Sequence, residues 1–422
     1  MNIEETLSFI HSVSWLGSKP GLSRTRELLA KMGNPEKKCR YVHVAGTNGK
    51  GSTAAMTASI LSDAGYKTGL YTSPYLWRFN ERMAIDGEMI SDEELCEITE
   101  YVKPFAVSME DVPTEFELVC AIGFEYFARH GCDFVVLEVG MGGRLDATNV
   151  IEQPEVAVLT NIGLDHTKEL GETVELIAGE KAGIIKPGCC AVAYDQKPTV
   201  MEVFRAACEK IGAQYRPADF TQLRSEQDSR EGQVFSYRDR EHLHTKLLGE
   251  HQRKNAAVVL DTVDALRSRG VNIPEEAVRS GMAKTEWPAR FEILTRRPWF
   301  VVDGGHNPQC AETVAANLRQ YFPDMRHVIM IGILADKDVD SLTDIIDPVA
   351  DEYVTATPNS PRAMSSVELA ERLKKYGKPV TACDSIESAV RTAKRFAGEN
   401  GVACCVGSLY MAGEARERGK AE

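Results

Sequence analysis

Short apolar runs alternate with amphipathic stretches along nearly the whole chain, a pattern typical of a parallel sheet covered by helices. Residues 134–137 show no alternation of apolar and polar positions, as expected for a strand buried on both faces. The strands predicted in the first part of the chain are 41–45, 68–71, 134–139, 156–160 and 191–194. The helices predicted between them include 53–64 and 114–130. The pattern therefore predicts an α/β fold with a parallel sheet in its N-terminal domain.

A second alternation follows a segment rich in proline and basic residues at 287–298. Its predicted strands are 299–302, 327–334, 352–357, 380–383 and 402–406. Before it, a polar tract at 221–246 with one strand-like piece at 233–237 predicts a surface excursion. We place the boundary near 295–298, which predicts a large domain at 1–295 and a smaller, Rossmann-like α/β domain at 298–422.

Composition narrows the class of protein. The 422 residues are 43% hydrophobic and 26% charged, which is ordinary for globular domains. The net charge of −13 argues against nonspecific binding of nucleic acid or of an anionic membrane, so anion binding requires a local concentration of positive charge. The 11 cysteines form no Cys-x-x-Cys pair, and the N-terminus lacks a basic region followed by an apolar run. We expect reduced thiols, a cytoplasmic location and no membrane span.

A glycine-rich segment, GTNGKGS at 46–52, connects the first predicted strand to a predicted helix. Glycines let backbone N–H groups approach phosphates, and the helix N-terminus adds partial positive charge. Lys50 is expected on the β- and γ-phosphates and Ser52 on Mg²⁺. The spacing departs from the usual G-x-x-x-x-G-K-[ST], because Gly51 separates the lysine from the serine. A plain glycine-rich turn is the alternative, but the flanking strand and helix favour a P-loop ATPase-type domain that binds a nucleoside triphosphate.

Two other predicted strands end in residues that can bind metal. Glu138 ends the strand at 134–139, where its carboxylate can hold Mg²⁺ for the phosphates. Asp165 and His166 follow the strand at 156–160 in a short loop. A lone histidine in a loop is more often a surface residue than a ligand.

Lys181 lies on the apolar face of the helix predicted at 173–186, among Ile177, Ala178 and Ile184. A buried ammonium must pair, extend to solvent or change its chemistry. Carbamylation by CO₂ would convert the lysine into a carboxylate-like ligand for a second metal ion. The spacing alone favours the alternative, a salt bridge or an extended side chain.

A series of ordered motifs covers nearly the whole chain. They are GTNGKGS (46–52), TSPYLWRFNERM (72–83), TEFE (114–117), EVGMGGRLDATN (138–149), LDHTKELG (164–171), EKAGIIKPG (180–188), HQRKNAA (251–257), WPARFE (287–292), VDGGHNP (302–308), GILADKD (332–338) and GSLY (407–410). With these motifs the chain resembles the folylpolyglutamate synthase family of the Mur-ligase superfamily, which comprises ATP-dependent ligases that form amide bonds.

The resemblance implies a role for each matching residue. The residues implied in ATP binding are Asn48, Gly49, Lys50, Gly51, Ser52, Asn255, Asp303 and Arg290, the last reaching across the interdomain seam. The implied metal ligands are Ser52, Ser73, Glu138, His166 and Lys181 as a carbamate. The implied folate-binding residues are Gly21, Leu22, Ser23, Arg24, Thr114, Leu145, Asp146 and Ala147. The implied glutamate-binding residues are Asp303, His306 and Ser408, and the implied catalytic residues are Lys50, Arg290, Asp303 and His306.

The resemblance also implies a reaction. ATP would phosphorylate the γ-carboxylate of tetrahydrofolate or a folylpolyglutamate, and the amine of L-glutamate would attack the acyl phosphate, releasing ADP and phosphate. The implied cofactors are ATP and Mg²⁺ at two sites, with room for a monovalent cation. Residues 1–295 would be the ATP-binding, Mur-ligase-like domain, and 298–422 the glutamate-ligase domain. His306 or Asp303 would orient and deprotonate the amine, and the sequence leaves that choice open. We expect a monomer that binds small-molecule substrates and neither nucleic acid nor membrane.

Several alternatives stay open at this point. Dihydrofolate synthase shares the ATP site and uses dihydropteroate as acceptor, and a bifunctional enzyme is a further alternative. Some relatives that make dihydrofolate carry TFFE and SPHL, whereas this chain has TEFE at 114–117 and SPYL at 73–76, which puts the second activity in doubt. A P-loop switch would leave the second α/β domain without a role, and a scaffold would leave the phosphate site idle. A cell-wall Mur ligase would need a nucleotide-sugar-binding domain before the loop, and we expect too few residues there for one.

Overall fold

The computed structural model describes residues 1–13, 17 and 19–420. These residues form two compact units. The first unit consists of Met1–Arg224, Phe235–His244 and Gln252–Thr285, and the second of Ser225–Val234, Thr245–His251 and Glu286–Glu422.

The first unit is built on an eight-stranded sheet. Its strands are β1 Arg40–Ala45, β2 Thr68–Tyr71, β3 Met83–Ile85, β4 Glu88–Met89, β5 Phe134–Glu138, β6 Val156–Leu159, β7 Cys190–Ala193 and β8 Gln214–Pro217. They lie in the order β4-β3-β2-β5-β1-β6-β7-β8. The six adjacent strands β2, β5, β1, β6, β7 and β8 pair in parallel, whereas β3 and β4 add an antiparallel edge. The carboxyl ends of β2, β5, β1 and β6 therefore lie side by side, which is where open α/β sheets bind ligands.

Helices flank this sheet. They are α1 Ile3–His11, α2 Ser23–Lys31, α3 Lys50–Asp63, α4 Asp92–Val107, α5 Glu115–Arg129, α6 Thr167–Leu170, α7 Val174–Ala182, α8 Pro198–Ile211, α9 Glu250–Ser268 and α10 Glu275–Lys284. All five residues of β5 are buried, which confirms the expectation from its unbroken apolar run. α3 is buried over most of its length, and a Cβ on Gly281 of α10 would lie only 2.6 Å from Ile60 Cα of α3. The small residues of α3 allow this close packing.

The polar tract at 221–246 contains three strands, where the sequence predicted one. They are β9 Leu223–Ser229, β10 Gly232–Tyr237 and β11 Arg240–Thr245, and they form a separate sheet in the order β11-β10-β9. The two missed strands are β9 and β11. β9 is exposed along nearly its whole length, and the buried positions of β11 follow no strict alternation, so neither has a clear pattern for sequence analysis to detect.

The second unit contains a six-stranded sheet. Its strands are β12 Glu292–Arg296, β13 Trp299–Val302, β14 His327–Ile331, β15 Glu352–Thr355, β16 Val380–Ala382 and β17 Val402–Val406, in the order β12-β13-β17-β14-β15-β16. Its helices are α11 Pro308–Tyr321, α12 Val339–Ile346, α13 Ser366–Leu373, α14 Ile386–Ala397 and α15 Leu409–Lys420. β12 is antiparallel to β13, and the other pairings are parallel. The predicted fold class, a parallel-dominated α/β sheet followed by a smaller α/β unit, is confirmed.

Two helix boundaries differ from the prediction by more than one residue. α3 begins at Lys50 rather than at residue 53, because Gly49 adopts the left-handed conformation at the N-cap (φ +86°). α7 ends at Ala182 rather than at 186, where the chain turns through bonds from Ile184 N to Lys181 O and from Ile185 N to Ala182 O. A Cβ on Gly183 would lie 2.3 Å from Arg144 Cβ, so the helix end passes close to the loop after β5.

No helix among the described residues combines the length and the apolar character needed to cross a bilayer.

Candidate active site

The glycine-rich loop between β1 and α3 is shaped by close contacts that exclude side chains. A Cβ on Gly46 would lie 1.7 Å from Thr160 Oγ1. Gly49 has φ +86°, and a Cβ there would lie 2.6 Å from Asn255 Oδ1. Both positions therefore require glycine, and the loop presents backbone rather than side chains at the start of α3. This is the arrangement that cradles phosphates.

The loop is held by the strand next to β1. The backbone N–H groups of Thr47 and Asn48 donate to Asn161 O at 2.8 and 3.2 Å. The Thr160 hydroxyl donates to Asn48 O at 2.8 Å. No sequence motif singled out Thr160 or Asn161. The signal that could have found them is their position at the end of the strand predicted at 156–160.

The side chains of Lys50 and Ser52 have different hydrogen-bond partners. The Lys50 ammonium donates to Thr47 O at 3.3 Å, so it folds back over the loop. The Ser52 hydroxyl is 2% exposed and accepts from Gln252 Nε2 at 3.2 Å. Gln252 Oε1 in turn accepts from Asn255 Nδ2 at 3.1 Å. The structure thus brings the predicted Asn255 next to the loop and links it to Ser52 through Gln252. Gln252 lies in the motif at 251–257, but nothing in the sequence distinguished it from its neighbours.

Lys181 is buried, as its place on the apolar face of its helix predicts. It is 5% exposed, and its ammonium donates to Gly46 O at 2.8 Å. Burial and, to a smaller extent, the charge of Lys50 lower the pKa of Lys181 to about 7, although Asp165 and Asp146 act in the opposite direction. The alternative of an extended side chain in solvent is therefore wrong. The buried amine touches the phosphate loop directly.

The other predicted metal ligands divide into two groups. Glu138 is 5% exposed at the end of β5, and its Oε2 accepts from Ser73 N at 3.2 Å. With the Ser52 hydroxyl in the first turn of α3, this gives two buried oxygen donors, the donor type that Mg²⁺ prefers. His166 is different, because its side chain is 46% exposed and lies 4.0 Å from Asp165 Oδ1. The described residues contain no cluster of three or more His, Cys, Asp or Glu side chains arranged for a metal ion.

Two predicted folate-binding residues carry structural contacts in the first unit. Arg24 is buried and donates to Glu117 Oε2 at 2.9 Å, to Asp111 Oδ2 at 3.1 Å and to Lys19 O at 2.7 Å. Thr114 is the N-cap of α5 and forms a capping box with Glu117. Both residues fix the start of α5.

Asp146, a third predicted folate-binding residue, holds the loop after β5. Its Oδ2 accepts from Met141 N at 2.9 Å, and its Oδ1 accepts from the backbone N and the hydroxyl of Thr148 at 3.0 and 2.5 Å. Behind it, Nε2 of the fully buried His43 lies 2.9 Å from Thr148 Oγ1. The Thr148 hydroxyl proton goes to Asp146, so His43 Nε2 carries the proton that it donates. Burial raises the pKa of Asp146 and lowers the pKa of His43 to about 3.

The remaining predicted folate-binding residues lie on two segments. Gly21 (φ +140°) and Leu22 lead into α2, whose first residue, Ser23, is exposed. Leu145 is 36% exposed, whereas Ala147 is buried at the start of a short 3-10 turn. Leu145 is therefore an exposed apolar side chain in this group, whereas Leu22 is partly buried.

In the second unit, Asp303 follows β13 and fixes the backbone around Arg290. Its Oδ2 accepts from Phe291 N at 2.8 Å and its Oδ1 from Gly305 N at 2.7 Å. Ala289 and Phe291, on either side of Arg290, have positive φ values of 52° and 49°, a strained conformation typical of functional sites. Burial raises the pKa of Asp303, while the Arg290 guanidinium opposes that rise.

His306 and Ser408 lie after adjacent parallel strands, β13 and β17. The connection is direct, because Gly407 N donates to Gly305 O at 3.0 Å. His306 Nδ1 lies 3.4 Å from Gly304 O, and the buried Ser408 hydroxyl accepts from Tyr410 N at 3.2 Å. The structure thus brings Arg290, Asp303, His306 and Ser408 together at the carboxyl edge of the second sheet.

The fold and these contacts define a P-loop nucleotide-binding protein of the α/β class with a second, Rossmann-like unit. The sequence matches the family described as Mur ligase middle domain over residues 44–263 and the one described as Mur ligase, glutamate ligase domain over 289–409. It is 37% identical to the dihydrofolate synthase/folylpolyglutamate synthase of Bacillus subtilis over 98% of both chains. It is 38% identical to the folylpolyglutamate synthase of Lacticaseibacillus casei, over 86% of this chain and 87% of the relative. The structure matches Mycobacterium tuberculosis folylpolyglutamate synthase complexed with ADP with a TM-score of 0.91, at 32% identity and 98% coverage of both chains. The chain belongs to the folylpolyglutamate synthase/dihydrofolate synthase family of the Mur ligases and is an ATP-dependent ligase.

Proposed function

We propose that this ligase adds L-glutamate to the γ-carboxylate of tetrahydrofolate or a folylpolyglutamate, with release of ADP and phosphate. The observation that carries the proposal is the glycine-lined phosphate loop in a chain whose sequence matches both Mur ligase domains. ATP binding is supported by the ADP complex of the Mycobacterium tuberculosis relative. Residues 1–295 are the proposed ATP-binding domain and 298–422 the proposed glutamate-ligase domain.

The chemistry explains why ATP is needed. A carboxylate is a poor acyl donor, since an oxide is a poor leaving group, and phosphorylation converts it into an acyl phosphate that an amine can attack. The γ-carboxylate oxygen attacks the γ-phosphorus, ADP leaves, and the amine then displaces inorganic phosphate. Lys50 and Arg290 offset the repulsion between the carboxylate and the triphosphate. Asn48, Gly49, Gly51, Asn255 and Asp303 complete the proposed ATP site.

Mg²⁺ at two sites is the proposed metal, and Ser52, Ser73, Glu138, His166 and Lys181 would hold the two ions between them. The buried oxygen donors of Ser52 and Glu138 fit this ion. When bound, Mg²⁺ would neutralise phosphate charge that the side chains alone leave uncompensated.

Lys181 is proposed to act as a carbamate. Its amine is buried against the loop and has a pKa near 7, so a substantial neutral fraction is present at neutral pH. The neutral amine adds to CO₂ and releases one proton, and the product is an anionic oxygen ligand. An anion at this position would also remove the repulsion between Lys181 and Lys50.

The second unit is proposed to receive L-glutamate through Asp303, His306 and Ser408. The imidazole of His306 and the carboxylate of Asp303 are the two groups that can orient the ammonium and accept its proton. The folate acceptor is proposed to lie along Gly21–Arg24, Thr114 and Leu145–Ala147. The enzyme is further proposed to be a cytoplasmic monomer, with room for a monovalent cation near the phosphates.

Dihydrofolate synthase is a second candidate activity. It is favoured by the relative of Bacillus subtilis, which is a dihydrofolate synthase/folylpolyglutamate synthase. The residues that distinguish this chain from TFFE and SPHL relatives make specific contacts. Glu115 Oε1 lies 3.2 Å from His11 Nδ1, and the Tyr75 ring packs on Phe79 at 5.8 Å between ring centroids.

One experiment separates the two activities. The purified protein is incubated with ATP, Mg²⁺ and L-glutamate and with either tetrahydrofolate or dihydropteroate, and the products are resolved by mass. The proposal predicts that one or more glutamates are added to tetrahydrofolate. Glutamate addition to dihydropteroate alone would contradict it and would establish the second candidate.

A further inference from the structure

Arg82 is a cation without a carboxylate partner among the described residues. It ends a short 3-10 turn, Phe79–Arg82, directly before β3. Its guanidinium carbon lies 5.2 Å from the centre of the Tyr75 ring and 5.4 Å from that of Phe79. Its Nε is buried and has no hydrogen-bond partner. Burying a guanidinium N–H without an acceptor is costly, so the position favours an anion that comes from outside the chain.

Two carboxylates of the same segment, Glu81 and Asp92, are engaged elsewhere. Glu81 accepts from the backbone N–H groups of Leu76, Trp77 and Arg78, at 2.7, 3.0 and 2.8 Å. Asp92 accepts from Arg78 Nη2 at 3.1 Å. The same loop thus contains one arginine that is neutralised and exposed and one, Arg82, that is half-buried and not neutralised.

The backbone places Arg82 beside the site. The Arg82 carbonyl accepts from Thr72 N at 3.0 Å. Ser73, which follows Thr72 in the chain, donates its N–H to Glu138 at 3.2 Å. β5 separates β2 from β1 in the sheet, so the end of β2 is about 10 Å from the phosphate loop, two strand spacings away. A carboxylate bound at Arg82 is therefore distinct from the carboxylate that meets the γ-phosphate.

We propose that Arg82 binds the α-carboxylate of the acceptor's terminal glutamate, the carboxylate that does not react. The inference rests on the proposed function, because an acceptor that ends in glutamate carries two carboxylates and only the γ-carboxylate is phosphorylated. The planar guanidinium suits bidentate binding of the second one, and the rings of Tyr75 and Phe79 hold it in place. Dihydropteroate has only the reacting carboxylate, so Arg82 determines specificity for glutamylated acceptors.

The test is a pair of variants and a pair of acceptors. Arg82→Met removes the cation and keeps an apolar side chain on the two rings, and Arg78→Met removes the same charge from the neutralised arginine of the same loop. Each protein is assayed with tetrahydrofolate and with its α-carboxamide, which retains the γ-carboxylate. For wild type and Arg78→Met, we expect the carboxamide to raise KM on the order of 10- to 100-fold, the value of a lost charge-assisted bidentate contact, with kcat little changed.

For Arg82→Met, KM for tetrahydrofolate rises by a similar factor, and replacing the carboxylate with the carboxamide has no further effect. Arg82→Lys keeps a charge without the planar fork and gives a smaller rise in KM. An Arg82→Met enzyme that responds to the carboxamide as strongly as wild type would overturn the inference. So would a rise in KM that Arg78→Met reproduces.

Two measurements keep the outcome interpretable. Thermal denaturation and binding of a nonhydrolysable ATP analogue establish whether each variant is folded, and if Arg82→Met is not, Arg82→Lys with the two acceptors carries the test. Calorimetric binding of tetrahydrofolate without ATP tests Arg82 separately from catalysis. If wild type binds tetrahydrofolate through Arg82 but adds no glutamate to it, the proposed function fails and the carboxylate site stands.

Discussion

Single atoms decide whether the loop between β1 and α3 can hold a triphosphate. Gly46 leaves no room for a Cβ, because Thr160 Oγ1 would lie 1.7 Å away. We expect Gly46→Ala to displace the loop and to weaken binding of a nonhydrolysable ATP analogue by at least about tenfold, roughly 1.4 kcal/mol, measured by calorimetry. Gly179→Ala, in α7 with nothing within 4 Å of the added Cβ, is the matched control and should bind normally. Equal binding by the two variants would contradict the assigned role of the loop.

Substitutions of Lys181 test whether this residue acts as a carbamate. If its carbamate is a ligand, Lys181→Ala loses ligase activity by a factor on the order of 10² or more, and short carboxylic acids such as acetate restore part of it by supplying the missing oxygen donor. Lys181→Arg keeps a positive charge and cannot be carbamylated, so acetate should not restore it. Activity is measured as ADP release in the presence of both substrates. Full activity of Lys181→Arg would rule the carbamate out.

The lowered pKa of the buried His43 leads us to expect that the stability of the protein depends on pH. Burial lowers its pKa from 6.5 to about 3, so the folded protein holds it neutral while the unfolded chain protonates it below pH 6.5. The stabilisation is complete above pH 6.5 and is lost as the pH falls towards 3, and the shift corresponds to a few kcal/mol, on the order of 1.4 kcal/mol per pH unit.

The measurement is the free energy of unfolding in denaturant at a series of pH values. His43→Gln keeps a donor for Thr148 and cannot titrate in this range, so its stability should fall less steeply with acid than that of wild type. Parallel curves for the two proteins would show that His43 does not set this dependence.

At the level of elements, the loop between β5 and the turn Ala147–Val150 depends on one carboxylate. Asp146 accepts from Met141 N, Thr148 N and the Thr148 hydroxyl. Asp146→Asn replaces an acceptor with a donor at a buried position, and we expect it to cost about 1–3 kcal/mol of stability. It should also raise KM for folate more than KM for ATP.

Hydrogen exchange locates the effect of Asp146→Asn. Faster exchange should be confined to residues 140–149, with β1 and β5 unchanged. A folate KM that rises without faster exchange in this loop would assign Asp146 to direct folate contact instead of loop support.

The helices and strands also show which parts of the fold sequence patterns can predict. The strands β2, β13 and β17 have the predicted bounds, because apolar runs in buried parallel strands are unambiguous. β9 was missed because its exposed side chains follow no period, and the start of α3 was placed three residues late because only the left-handed Gly49 marks it. Lys50, Ser52 and Glu138 follow from strand ends and motif spacing. Thr160 and Gln252 required the structure, since their contacts join segments distant in sequence.

In the whole enzyme, ligase chemistry requires ATP turnover to depend on both other substrates. A switch-type ATPase would hydrolyse ATP without them. We expect ADP release to be slow with ATP alone, and to be fast only when tetrahydrofolate and L-glutamate are both present, as followed by a coupled assay. Rapid hydrolysis that neither substrate changes would contradict ligase chemistry.

The acyl-phosphate intermediate can be detected by following one oxygen atom. Tetrahydrofolate labelled with oxygen-18 in its γ-carboxylate is converted with ATP and L-glutamate, and the inorganic phosphate released is examined by mass spectrometry. An acyl-phosphate intermediate transfers one labelled oxygen from the carboxylate to each phosphate, so we expect label in the phosphate in proportion to amide formed. Unlabelled phosphate alongside full amide formation would contradict it.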